Sequence, residues 1–135
     1  MPEKPLSMTL ADHAALIGEP CEGPISDQRA TMDALLQRSG WPEPSRLHNG
    51  KPVLDQGHCS LSHGGGWVFA AQSPVPIGID VEAVAPRLQK ARRRFVGSAD
   101  QPVLDAFGDN LDTLCLLWTA KEAAFKVFGS GLDFL

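Results

Sequence analysis

The chain has 135 residues, 43% of them hydrophobic and 21% charged, with a formal net charge of −4. That length suits one modest domain, and the apolar fraction excludes an intrinsically disordered chain. The acidic balance argues against a general nucleic-acid binder, and no run is long and apolar enough to span a membrane.

Cys21, Cys59 and Cys115 are odd in number and widely spaced, so they form neither a zinc motif nor a disulfide framework. The start, Met1-Pro2-Glu3-Lys4-Pro5, lacks a signal-peptide pattern. Both features point to a reducing, cytoplasmic setting. No repeat or low-complexity stretch divides the chain, so residues 1–135 read as a single domain.

Residues 1–25 carry Pro2, Pro5, Pro20 and Pro24 and read as a mostly irregular N-terminal segment. Ser26 and Asp27 are N-cap candidates for a helix over 28–39, with Gly40 as its stop. Met32, Leu35 and Leu36 line its apolar side. Trp41-Pro42-Glu43-Pro44 is a rigid connector, and Asn49-Gly50 a turn. Residues 51–82 predict sheet. Cys59–Ser62 is a short strand, Gly64-Gly65-Gly66 punctuates, and the wholly apolar 67–71 is a central strand. After a turn at Ser73-Pro74-Val75-Pro76, Ile77–Val81 is the next strand, with Ile79 and Val81 facing opposite to Asp80 and Glu82.

Residues 87–95 form a basic helix whose charges read as a solvated face. Residues 103–107 add a helical turn. The last helix runs over 111–128, with Asp112 near its start and Gly129 at its end. Leu117, Ala120, Ala124 and Val127 make its core face, flanked by Leu114, Trp118, Phe125 and Phe128. Cys115, Thr119, Glu122 and Lys126 make a separate polar stripe. The fold class is therefore α+β: a small antiparallel sheet from 51–82 packed on helices 28–39 and 111–128.

Two pairs of charged residues stand out. Asp80 and Glu82 share one face of a strand, and Glu122 and Lys126 share one face of a helix. Taken singly, each pair reads as ordinary surface charge. So does Lys51 beside Pro52, and His63 after Ser62 reads as a turn histidine. Together they suggest more. Neighbouring carboxylates repel unless a cation lies between them, and Mg²⁺ favours few protein carboxylates, several waters and substrate phosphates. Three carboxylates and a lysine on rigid elements suit a Mg²⁺-dependent reaction at a pyrophosphate. The glycines after His63 let a phosphate approach backbone N–H groups.

The order of these pieces resembles the 4′-phosphopantetheinyl transferase family, specifically its larger, single-chain, surfactin-type members. The matching text is Asn49-Gly50-Lys51-Pro52, Ser60-Leu61-Ser62-His63-Gly64-Gly65-Gly66-Trp67 and Ile77-Gly78-Ile79-Asp80-Val81-Glu82. It continues with Arg94-Phe95, Trp118-Thr119-Ala120-Lys121-Glu122-Ala123-Ala124-Phe125-Lys126 and Gly129-Ser130-Gly131-Leu132. The resemblance implies transfer of the 4′-phosphopantetheine arm of coenzyme A to a serine of an acyl or peptidyl carrier protein, releasing 3′,5′-ADP. Carried over by position, Asp80, Glu82 and Glu122 would hold Mg²⁺. Glu122 would also accept the serine proton, and Lys126 would neutralise the pyrophosphate. Lys51, Ser62, His63 and Lys121 would bind coenzyme A, with His63 near the 3′-phosphate.

Two departures qualify this. The chain stops just past Gly131-Leu132, where such relatives continue into strands that complete a pseudo-symmetric second half. The resemblance therefore predicts an incomplete second half, an exposed sheet edge and, as a remedy, a homodimer. Basic residues at the start of the first helix are reduced to Arg29. The alternative expectation is a catalytically impaired, truncated relative that binds coenzyme A or a carrier protein.

Overall fold

A computed structural model describes residues 4–129. Strands β1 (Leu6–Thr9) and β2 (Ala15–Pro20) are followed by helix α1 (Ile25–Arg38) and a small hairpin, β3 (Ser45–Arg46) and β4 (Pro52–Val53). Then come β5 (His58–Gly64), β6 (Trp67–Ser73) and helices α2 (Arg87–Ala91), α3 (Gln101–Phe107) and α4 (Leu111–Phe128). The main sheet runs β1-β2-β6-β5, antiparallel throughout, and β3–β4 is a second, two-stranded sheet. The expected α+β class and its small antiparallel sheet are present. No helix among the described residues is long and apolar enough to cross a membrane.

The alternation of β5 and β6 gives the sheet two different faces. Leu61, Val68, Ala70 and, from β2, Ile17 meet Met32, Leu35 and Leu36 of α1 in the first core cluster. Ser60, Ser62 and Gly64 look the other way. The second cluster lies among the helices: Leu88, Phe95, Leu104, Leu114, Cys115 and Leu117, with Trp118 edge-on to Phe95 at 5.2 Å. Two small cores thus flank a connection, residues 76–85, that belongs to neither helix nor sheet.

Several sequence expectations need correction. The N-terminal segment is not mostly irregular: β1 and β2 form a hairpin and add two strands to the sheet. Its prolines mislead because Pro20 sits at the very end of β2, where a missing N–H is tolerated. Helix α1 starts about three residues early, at Ile25 with Pro24 as N-cap; the Gln28 side chain donates to the Gly23 carbonyl at 3.2 Å. The basic stretch is a short helix and a 3₁₀ turn, and Leu88 and Phe95 within it are fully buried. On α4 the buried stripe is Leu114, Cys115 and Leu117, while Ala120, Phe125 and Phe128 are exposed.

The largest correction concerns Ile77–Val81, which joins no ladder. It runs extended across the second face of β5, and its amides find side chains instead of strand carbonyls. Ile79 N–H donates to Ser60 Oγ at 3.1 Å and Val81 N–H to Ser62 Oγ at 3.0 Å. Serines on alternate positions of β5 replace the ladder. The expected Gly129-Ser130-Gly131-Leu132 element falls, after Gly129, outside the described residues.

Candidate active site

The connection 77–83 is squeezed between β5 and α4, and glycine makes both approaches feasible. A Cβ on Gly64 would lie 2.4 Å from the Val81 carbonyl oxygen, and one on Gly78 would lie 2.0 Å from that of Ala123. The chain still alternates as a strand does, so Asp80 and Glu82 both turn toward α4. The expected facing of these two carboxylates therefore survives without the expected strand.

Asp80 is the centre. Its Oδ1 accepts from Ser62 Oγ at 3.4 Å and from Lys126 Nζ at 3.4 Å. Its Oδ2 is buried with no hydrogen-bond partner among the described residues. Burial pushes its carboxyl above the ordinary range; Lys126 pulls the other way, and Glu82 adds to the rise. Glu122, one helical turn before Lys126, is raised first by burial and then by the charge of Asp80. Lys126 reaches across to donate to the Ile79 carbonyl at 2.8 Å and the Leu61 carbonyl at 3.2 Å. It joins β5, the connection and α4 at one point.

Glu82 is differently placed. One oxygen pairs with Arg87, and the other accepts the Trp118 indole N–H at 3.4 Å. Among the described residues no three His, Cys, Asp or Glu side chains form a group that could hold a metal. The chemistry of Asp80 and Glu122 nevertheless fits a hard divalent cation: an orphaned buried carboxylate oxygen beside a second acid whose charge is disfavoured.

The remaining expected residues are distributed over two hollows. Lys51 and Lys126 line a cleft of about 310 Å³ with Arg46, Asn49 and Gly50. His63 and Arg29 line another of about 530 Å³, on the α1 face. Arg46, Gly50 and Leu61 border both, so the hollows adjoin along β5. Ser62 turns away from His63, and its hydroxyl is engaged by Val81 N–H and Asp80. It acts on the connection.

Lys121 is placed elsewhere than expected. Its ammonium donates to Asp100 Oδ2 and the Phe95 carbonyl, both at 2.6 Å, beside the second core cluster. One position along a helix is a rotation of about 100°, which separates Lys121 from the Glu122 stripe.

Sequence reasoning missed Arg46, Ser60, Arg87 and Asp100. Arg46 had a usable signal: a basic residue just before the Asn49-Gly50 turn, whose guanidinium closes it by donating to the Gly50 carbonyl at 2.9 Å. The others depend on chain crossings that no local pattern records.

Comparison with known proteins adds independent information. Residues 76–135 match the model of the 4′-phosphopantetheinyl transferase superfamily. The 4′-phosphopantetheinyl transferase psf-1 of Bacillus pumilus is 37% identical over 91 residues, 64% of this chain and 39% of that protein. The 4′-phosphopantetheinyl transferase Sfp of Bacillus subtilis strain 168 is 35% identical over 84 residues, 61% of this chain and 38% of that protein. The 4′-phosphopantetheinyl transferase gsp of Aneurinibacillus migulanus is 33% identical over 86 residues, 62% of this chain and 36% of that protein. The chain spans about two fifths of the length of these curated relatives.

Proposed function

Since the chain belongs to the 4′-phosphopantetheinyl transferase superfamily, with surfactin-type relatives, we propose that it transfers the 4′-phosphopantetheine arm of coenzyme A to a carrier-protein serine. The observation that carries this reading is the convergence of Asp80, Glu122 and Lys126 beside a cleft lined by Lys51 and Arg46. Two acids facing a run of cations suit a cation-bridged diphosphate. A carrier protein and coenzyme A are the implied partners, and a cytoplasmic setting fits three free cysteines.

In the proposed reaction the serine oxygen attacks the β-phosphorus of the coenzyme A diphosphate. The new P–O bond forms as the anhydride P–O bond breaks, and 3′,5′-ADP leaves. Mg²⁺, when bound, would neutralise the diphosphate oxygens and hold them in line. Asp80, Glu82 and Glu122 are the residues that would hold it. Glu122 would also accept the serine proton, directly or through water; a carboxylate bound to a cation is a weak base, but it need only assist a hydroxyl held in line with phosphorus. Lys126 stabilises charge on the departing oxygen. Lys51 and His63 reach toward the nucleotide end, and Arg46, between their hollows, joins them.

A second reading, binding without transfer, has one observation in its favour: Glu82 and Lys121 are both committed to protein partners. Titration calorimetry with coenzyme A tests the shared core of both. Binding in Mg²⁺ that weakens strongly in chelator is expected; no affinity for coenzyme A in Mg²⁺ refutes transfer and coenzyme A binding alike.

Assembly belongs to the same proposal. Leu6 and Met8 are exposed on the sheet face away from α1, next to the stacked rings of Trp67 and Phe69. An exposed apolar face of this kind suits burial against a second copy, and a homodimer is the assembly proposed. Light scattering across a dilution series should show dimers; a monomer with a concentration-independent melt rejects this part.

A further inference from the structure

Lys126 is held largely by backbone, and the backbone that holds it comes from two separate segments. Its ammonium donates to the Leu61 carbonyl of β5 at 3.2 Å and to the Ile79 carbonyl of the connection at 2.8 Å. One ammonium serves both carbonyls only while the connection lies against β5 at this point. Ser60 supplies that closeness. It is buried, it directly precedes Leu61 on β5, and its Oγ accepts the Ile79 N–H at 3.1 Å. In an extended chain the N–H and C=O of one residue point to the same side. Ser60 Oγ and Lys126 Nζ together therefore take the two Ile79 groups that a neighbouring strand would take. Ser60 also lines the cleft shared by Lys51 and Lys126.

Resting on the charge-neutralising role proposed for Lys126 above, we propose that Ser60 is the positioning residue for Lys126. It acts through Ile79: the hydroxyl pins the connection to β5, and the pinned carbonyl fixes where the ammonium meets a diphosphate in the cleft. Without that hydroxyl the Ile79 amide loses its acceptor, and the two carbonyls are no longer held to one ammonium. Of the three ammonium hydrogens, two serve these carbonyls and one is left for Asp80 Oδ1, at 3.4 Å. A released Lys126 keeps its charge but not its place, so Ser60 governs affinity for the diphosphate without touching it. Ser62 pins Val81 in the same manner, but its hydroxyl also meets Asp80. Ser60 is the pin whose removal leaves the bonds of the acids in place.

The test compares Ser60→Ala with Ser73→Ala. Ser73 is the matched control: it too is buried, and its Oγ accepts the Val75 N–H at 3.1 Å, in the turn after β6. Calorimetry with coenzyme A in Mg²⁺ gives the affinity. Acylation by acetic anhydride in ligand-free protein, read peptide by peptide in a mass spectrometer, gives the accessibility of Lys126. S60A should weaken coenzyme A binding about tenfold and raise Lys126 labelling about three- to tenfold. S73A should lower the melting temperature as S60A does, yet leave both readings at the parent level. Ser60→Cys keeps a side chain of similar shape with a weaker acceptor; it should fall between, and it carries the test if S60A does not fold. Parent affinity in S60A overturns the proposal. So does weakened affinity with Lys126 labelling unchanged, which would put Ser60 on the ligand itself, and so does an S73A that loses affinity equally. A parent with no affinity for coenzyme A sinks the reading of the site, and the labelling still decides whether Ser60 holds Lys126.

Discussion

Gly78→Ala should be among the most damaging single-methyl changes in this chain. The new Cβ would lie 2.0 Å from the Ala123 carbonyl oxygen and 2.9 Å from Val127 Cγ2. Real Cβ atoms essentially never approach within 3.0 Å, so the connection and α4 must part by about 1 Å. Lys126 spans that gap with its 2.8 Å bond to the Ile79 carbonyl, which would stretch past hydrogen-bond range. A bond from a charged donor contributes about 1.5–3 kcal/mol, and overpacking costs about 1–3 kcal/mol. A net loss of about 3–5 kcal/mol corresponds to a melting temperature lower by about 10–20 °C. Gly40→Ala is the control: its φ is 70° with nothing within 4 Å, so only the left-handed backbone costs, about 1 kcal/mol. Calorimetric melts of both variants and the parent give the comparison. A G78A melt within about 2 °C of the parent, or no lower than G40A, would refute the close packing of the connection on α4.

Other perturbations separate the site residues. Asp80 is a carboxyl raised on folding, so its contribution to stability is full below its unfolded pKa and is lost as pH rises through the folded value. Asp80→Asn should therefore raise the melting temperature in chelator near neutral pH, with the gain fading as pH falls toward the ordinary carboxylate range; a gain that grows on acidification contradicts this. Lys126→Ala should weaken coenzyme A and 3′,5′-ADP binding alike, whereas Glu122→Gln should depress single-turnover transfer more than either affinity. An E122Q variant transferring at the parent rate removes Glu122 from the mechanism. Lys121→Met strands the largely buried Asp100 carboxylate and should cost about 3 kcal/mol in denaturant melts. If it also abolishes coenzyme A binding in protein that remains folded, the assignment of Lys121 to the helical core is wrong.

What the sequence disclosed follows the range of the forces involved. The bounds of helix α4 were legible because Gly129 ends it, but its buried face was not, since which apolar residues are covered depends on α2 and α3 packing beside it. The facing of Asp80 and Glu82 was legible because an extended chain alternates whether or not a ladder forms. What was missed depends on meetings far apart in the chain. Nothing local marks Ser60 as the acceptor for the Ile79 amide, or Ser62, expected at coenzyme A, as the acceptor for that of Val81. The resemblance points the Lys121 ammonium toward the phosphates, and Asp100, with which it pairs, lies twenty-one residues upstream, beyond any local pattern. Strand β1 escaped because its apolar–polar alternation, Leu6-Ser7-Met8-Thr9, is only four residues long and follows directly on Pro5.

The measurement that bears most directly on the proposed activity is the intact mass of several apo-carrier proteins, of fatty-acid, polyketide and peptide-synthetase type, after incubation with this chain, coenzyme A and Mg²⁺. At least one should gain the mass of a single phosphopantetheine arm, with an equal amount of 3′,5′-ADP released and neither product formed in chelator. Unchanged masses for all of them, from protein that binds coenzyme A in calorimetry, would contradict transfer and leave the binding role as the function of the Asp80–Glu122–Lys126 site.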